Sequence, residues 1–309
     1  MRIWISAVWI LFVVGLAGSQ TLWQPSAGHQ QIEIWPGAAP DESPRQTESL
    51  DGSAVINVTR PTMTVYSPKG KNTGVAMVVF PGGGYKILAI GLEGTEVCDW
   101  LTSKGITCVL LKYRVPNSGP HWEDQCKCHI TPKLPIALED AQRTIGLVRF
   151  HAAEWHIDPH RIGVLGFSAG GHLVADTSTH FDKRSYAPVD AADDESCRPD
   201  FGVALYPGHM LENTSKPFEL NPNVPVTSKT PPTFLLQAED DPVDDVENSL
   251  VYFEALKTAG VPVEMHLYAK GGHAFGLRPT EFPITGWPRL VEAWLRTIGM
   301  VSRSSDQDQ

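Results

Sequence analysis

The chain has 309 residues, 42% hydrophobic and 19% charged, which supplies a substantial core for one large domain rather than two well-built ones. Lys and Arg number 25 against 35 Asp and Glu, a formal net charge of −10. That balance argues against nucleic acid as a partner and leaves a neutral or cationic small molecule easier to accommodate.

Residues 1–19 read as a secretory signal peptide. Arg2 is a minimal positive n-region, residues 3–16 are an apolar h-region, and Ala17, Gly18 and Ser19 are the small residues expected at a cleavage site before Gln20. The apolar run is shorter than the ~20 residues that span a bilayer, and no cysteine follows it, so export without a stable membrane anchor is expected. Residues 20–50, rich in Pro, Ser, Gln and Glu, read as an extended arm over the surface. A single folded domain is expected over 51–300 and a disordered tail over 301–309.

Strand character appears at 55–58 and 63–66, and the continuous apolar run 75–80 is the first candidate for a strand buried on both faces. A helix is expected over 93–103, ending at Lys104-Gly105, then a buried strand over 106–113. Residues 115–135 read as a long loop. Leu138, Ala141, Ile145, Val148 and Ala152 recur at helical spacing and predict a helix over 137–155. A strand over 162–167 runs into a helix over 169–179. Strands over 201–206, 233–238 and 263–268 and helices over 246–259 and 288–298 complete the pattern, with polar, proline-rich loops at 181–200 and 208–231. Buried strands alternating with helices mean an α/β fold: a mostly parallel sheet covered on both faces, with ligands at the carboxyl ends of its strands.

Five cysteines are present. Cys98 and Cys108 fall in helical and strand sequence, where buried free thiols are common. Cys126, Cys128 and Cys197 lie in loops, which points to one bridge joining Cys197 to Cys126 or Cys128. Cys126-Lys127-Cys128-His129 has no second ligand pair at zinc spacing, so no metal is expected.

The chemistry is concentrated at strand ends. Gly166-Phe167-Ser168-Ala169-Gly170 lies between a strand and a helix, the context in which Gly-x-Ser-x-Gly forms a nucleophile elbow. An acyl-transfer serine needs a base, and that base needs an acid to orient it. Gly271-Gly272-His273 follows the last strand and leaves room for an imidazole to swing over Ser168; His151, His156, His160 and His172 lie on helices or at a strand entrance and suit the role less. Glu239-Asp240-Asp241-Pro242-Val243-Asp244 follows the penultimate strand, where the acid is expected. Asp241 is the choice, with Asp240 and Asp244 as runners-up. Pro81-Gly82-Gly83-Gly84-Tyr85 follows the strand over 75–80 and frees backbone N–H groups for an oxyanion, with the amide of Ala169 as a further donor. Tyr85, Trp122 and Tyr206, in or near loops at the same end, are candidate substrate-stacking residues.

Together PGGGY (81–85), LEDAQRTIGLVR (138–149), IDPHRIGVLGFSAGGHL (157–173), AEDDPV (238–243) and GGHAFG (271–276) give a chain that resembles α/β-hydrolases of the bacterial acetyl esterase/lipase group, related to hormone-sensitive-lipase-like and feruloyl-esterase-like hydrolases. The resemblance covers roughly residues 50–300. It implies the α/β-hydrolase fold with a central sheet of about eight strands, a Ser168–His273–Asp241 triad, and Gly83, Gly84 and Ala169 as oxyanion donors. Pro81 stands where the group often has histidine, which removes a side chain but keeps the glycine amides. Exported members with PGGGY resemble carbohydrate esterases, so a small-molecule or carbohydrate ester is the implied substrate, with no metal or organic cofactor. The alternatives from the same reading are a peptidase of the prolyl-oligopeptidase type and a non-catalytic binding protein on the same fold.

Overall fold

Strands built from unbroken apolar runs set the architecture of the computed structural model, which describes residues 22–41, 46–133, 135–211 and 218–302. In chain order the strands are β1 (Gln31–Glu33), β2 (Ser49–Asp51), β3 (Ala54–Ile56), β4 (Thr62–Tyr66), β5 (Ala76–Phe80), β6 (Ile87–Leu88), β7 (Thr107–Lys112), β8 (His121–Glu123), β9 (Cys128–Ile130), β10 (Ile162–Phe167), β11 (Gly202–Leu205), β12 (Thr233–Ala238) and β13 (Val263–Tyr268). The α-helices are α1 (Glu96–Ser103), α2 (Ile136–Phe150), α3 (Ala169–Thr179), α4 (Glu247–Thr258) and α5 (Trp287–Thr297). Every residue of β5, β7, β10, β11 and β12 is buried. A strand buried along its whole length is covered on both faces, because successive side chains point to opposite sides.

Eight strands form one sheet in the order β1-β4-β7-β5-β10-β11-β12-β13. All pairings from β7 to β13 are parallel; β4 runs antiparallel to β7, and β1 antiparallel to β4. This is the sheet expected of an α/β-hydrolase. Strand β10 lies between β5 and β11, so the carboxyl ends of β5 and β10 open side by side, and the glycine loop and the elbow start as neighbours.

The segment read as a surface arm joins the fold. Its β1 closes one edge of the sheet, and Ile34 and Trp35 are buried. Helix α2 explains why. Twelve of its fifteen residues are buried, several of them polar, and these capture the incoming chain. Asp140 accepts the Trp35 indole N–H at 2.9 Å, Arg143 donates to the Ile34 carbonyl at 2.8 Å, and Arg114 donates to the Pro40 carbonyl at 2.6 Å. Composition suggested a loose arm; buried hydrogen bonds from another part of the chain overrode it. The signal peptide expected at 1–19 lies outside the described residues, as does the tail from 303 on.

Three further expectations are corrected. The helix predicted to reach 155 stops at Phe150, capped by His151, and turns carry the chain on. The loop over 115–135 contains a hairpin, β8 paired antiparallel to β9. The cysteines pair locally, Cys98 with Cys108 and Cys126 with Cys128, while Cys197 is a buried free thiol whose sulfur approaches the Phe181 carbonyl. Loop character alone pointed to Cys197; what decides pairing is that α1 packs against β7 and that the β8–β9 turn brings two neighbours together.

Candidate active site

The elbow is shaped by contacts that exclude side chains. Ser168 has φ 53° and ψ −120°, a conformation an L-residue rarely adopts and one that persists only where the surroundings impose it. The two motif glycines are what the turn requires. A Cβ on Gly166 would fall 2.1 Å from the Gly170 carbonyl oxygen, and one on Gly170 would fall 2.1 Å from the Phe80 carbonyl oxygen. The chain therefore folds back tightly enough to hold Ser168 at the start of α3. Ala169 is the first residue of that helix, so its N–H is among those without an intrahelical acceptor.

His273 reaches Ser168 from the loop after β13. Its Nε2 is 3.0 Å from Ser168 Oγ, and its Nδ1 is 2.7 Å from Asp241 Oδ2. An ionised carboxylate only accepts, so Nδ1 carries the hydrogen and Nε2 is free to accept from the serine hydroxyl. Burial alone would lower the His273 pKa, but the hydrogen bond from Nδ1 to Asp241 and the nearby Asp241, Asp244 and Glu93 carboxylates outweigh it and raise it above the usual imidazole value.

The acidic run after β12 divides its labour. Asp241, its side chain fully buried, meets His273. Asp240 Oδ1 accepts the N–H groups of Gly271 and Gly272, both at 2.8 Å, and so clamps the loop that carries His273. Asp244 Oδ2 lies 3.3 Å from Ser168 Oγ and 3.8 Å from His273 Nε2. Burial raises the Asp244 carboxyl to about 6, with the neighbouring Asp241 charge adding and His273 opposing.

Gly83 and Gly84 take left-handed backbone conformations, φ 132° and 62°, and the Gly83 carbonyl accepts from the amides of Lys86 and Ile87. The loop is tied down from beneath. Tyr113 donates to the Pro81 carbonyl at 2.6 Å, and Gly82 donates its N–H to Glu93 Oε2 at 2.8 Å. Glu93 was not anticipated from the sequence. It is buried, also accepts the Tyr206 hydroxyl at 2.8 Å, and has its pKa raised by burial, partly offset by those two hydrogen bonds. A glutamate at the start of an expected helix, with Glu96 and Asp99 close behind it, gives no local signal of such a role.

Gly83, Gly84, Glu93, Ser168, Asp244 and His273 line one cleft of about 670 Å³. Of the three aromatic candidates only Trp122 reaches it, 41% exposed on the β8–β9 hairpin, its ring edge-on to His129. Tyr85 and Tyr206 have no accessible surface and are not available for stacking. Tyr85 hydrogen-bonds His172 at 2.9 Å; Tyr206 packs its ring 4.8 Å from that of His273. Each is consumed by the scaffold because loop sequence at a strand end does not say which way a ring turns.

Known proteins share the sequence pattern and the fold. The family model described as the prolyl oligopeptidase family matches residues 96–297. An acetylxylan esterase of Xylanibacter ruminicola is 29% identical over 235 residues, covering 69% of this chain and 43% of its own length. An endo-1,4-β-xylanase B of Butyrivibrio fibrisolvens is 29% identical over 230 residues, covering 68% of this chain and 34% of its own. The chain thus spans less than half the length of these curated relatives. A solved acetyl ester-xyloside bifunctional hydrolase from Caldicellulosiruptor lactoaceticus superposes with a TM-score of 0.70 at 35% identity, over 88% of this chain and 97% of that one. By its matching sequence and its eight-stranded sheet, the chain belongs to the prolyl oligopeptidase family, within the α/β-hydrolase fold.

Proposed function

We propose that the protein is a serine carboxylesterase that removes acyl groups, acetyl foremost, from plant polysaccharides or oligosaccharides. The observation that carries the reading is the relay from Ser168 Oγ through His273 to Asp241, at 3.0 and 2.7 Å, on the wall of an open cleft. Relatives named for acetylxylan and acetyl-xyloside chemistry support the substrate class, as does an exposed tryptophan in the cleft that offers a sugar ring a flat face.

In this reading Ser168 Oγ attacks the ester carbonyl carbon while its proton passes to His273 Nε2. Asp241 accepts the Nδ1 hydrogen and stabilises the imidazolium without taking the proton. The carbonyl π-electrons move to oxygen, and the N–H groups of Gly83, Gly84 and Ala169 receive that oxyanion. The tetrahedral intermediate collapses, the ester C–O bond breaks, and His273 returns the proton to the leaving alcohol. Water then attacks the acyl-Ser168 ester by the same steps, releasing the acid. The apolar run behind Arg2 supports export as the setting for such a substrate.

Hydrolysis of p-nitrophenyl acetate by the wild type and its loss in Ser168→Ala test the assignment; equal turnover by both would remove Ser168 from the mechanism. The prolyl oligopeptidase family match favours a second reading, a peptidase on the same core. Acetyl-xylan, a feruloyl ester and a proline anilide offered side by side separate the two: cleavage of the anilide alone would replace the esterase reading. Substrate binding without turnover of any of them would favour a non-catalytic role.

A further inference from the structure

We infer that Asp244 is a specificity-determining residue: it binds a free hydroxyl on the leaving alcohol next to the ester oxygen, and so selects partly acylated polyols over simple alkyl esters. This rests on the esterase reading above.

His273 Nε2 is the atom that would return a proton to the leaving oxygen, and Asp244 Oδ2 stands 3.8 Å from it. A carboxylate there is within reach of a group carried beside the leaving oxygen. Its position is built, not incidental. The Asp244 N–H is held by Asp241 Oδ1 at 3.0 Å, and its carbonyl by the Gln237 side-chain amide at 2.5 Å. Gln237 is itself buried and anchored by the Ser249 hydroxyl. Oδ1 lies where a side chain on residue 208 would otherwise be, since a Cβ on Gly208 would fall 2.4 Å from it.

The chemistry then leaves this carboxylate short of donors. At rest it faces the Ser168 hydroxyl at 3.3 Å. Attack moves that proton to His273, and the acylated Oγ has none to offer. The imidazolium that forms at His273 balances the Asp244 charge, but at 3.8 Å it is too far to fill the acceptor position that the serine proton has left. A substrate hydroxyl donated to Asp244 fills that position, and it counts most in the transition state, where it raises kcat rather than merely tightening binding. In a sugar ester, the oxygen on the carbon adjacent to the acylated one is the nearest group able to do this.

The test compares two acetyl xylosides that differ only in whether the hydroxyl beside the acetate is free or O-methylated. For the wild type, kcat/KM is expected to favour the free hydroxyl about 10- to 100-fold, the cost of leaving a half-buried charged acceptor unpaired. In Asp244→Ala the ratio falls to near one; in Asp244→Asn, which keeps one acceptor oxygen, it lies between. p-Nitrophenyl acetate, which has no such hydroxyl, monitors whether each variant folds and turns over. A wild-type ratio near one, or a ratio unchanged in both variants, overturns the inference and leaves the esterase reading intact if p-nitrophenyl acetate is still cleaved through Ser168. Absence of any ester cleavage by the wild type overturns both.

Discussion

Asp241 holds the backbone of Asp244. Its Oδ1 accepts the Asp244 N–H at 3.0 Å and the Val243 N–H at 2.9 Å, while Oδ2 faces His273 Nδ1 at 2.7 Å. One carboxylate therefore sets the tautomer of the base and the placement of a second acid beside the nucleophile. Asp241→Asn replaces one acceptor oxygen with an NH₂ donor. If that donor faces Nδ1, His273 adopts the tautomer with its hydrogen on Nε2 and can no longer accept from Ser168. A fall in kcat of about 10³–10⁴-fold is expected, with a smaller change in KM; full activity in steady-state assays would remove Asp241 from the relay.

His273 must be neutral to take the serine proton. Because its pKa is raised above 6.5, activity is lost as pH falls through that higher value, so the acid limb of kcat/KM should have its midpoint above 6.5. The charges facing His273 that raise it are Asp241, Asp244 and Glu93. Asp244→Asn removes one of them and is expected to shift the midpoint to lower pH. Asp244 itself titrates at about 6, so the wild-type limb belongs to the coupled pair and should be steeper or broader than that of the variant. A midpoint that does not move, or moves upward, contradicts this electrostatic account.

Glu93 joins three parts of the site. It accepts from Gly82 in the glycine loop and from Tyr206, whose oxygen in turn accepts the Gly276 N–H at 3.3 Å, just beyond His273. Glu93→Ala leaves two buried donors unpaired, each costing about 1–3 kcal/mol. Denaturant titration should show that loss, and kcat should fall more than KM rises, because the displaced loop serves the oxyanion. Glu93→Gln keeps one acceptor and should recover part of both. Wild-type stability in Glu93→Ala would show the two donors to be satisfied in other ways.

Arg114 is fully buried and paired with Glu139 and Asp140, both fully buried as well. Arg114→Ala strands two carboxylates in the interior, for which a loss of about 3–5 kcal/mol is expected. It also frees the Pro40 carbonyl, so limited proteolysis should open the chain ahead of β4 before the sheet itself yields. Stability within 1 kcal/mol of wild type, on the order of ordinary surface substitutions, would mean the cluster contributes no net stabilisation.

The sequence by itself determined the periodic elements. Four runs match the structure residue for residue, β10, α3, β12 and β13; the two central strands are buried and mostly apolar, the half-buried edge strand β13 alternates apolar and polar residues, and the Gly-x-Ser-x-Gly turn marks where strand becomes helix. It also narrowed the functional residues to a serine, a histidine and an acidic run at adjacent strand ends, since in a parallel sheet those ends lie on one side. Tertiary structure decided what depends on direction and on distant partners. It chose Asp241 for His273, assigned Asp240 to the loop backbone and turned Asp244 toward Ser168, distinctions of a few ångströms among carboxylates that look alike in sequence. It buried Tyr85 and Tyr206, left Trp122 exposed, paired Cys126 with Cys128, and drew residues 31–41 onto α2 through buried hydrogen bonds. Local propensity carries little information about such contacts, because side-chain direction and, in most of them, groups far away along the chain decide them, 113 residues in the case of Glu93 and Tyr206.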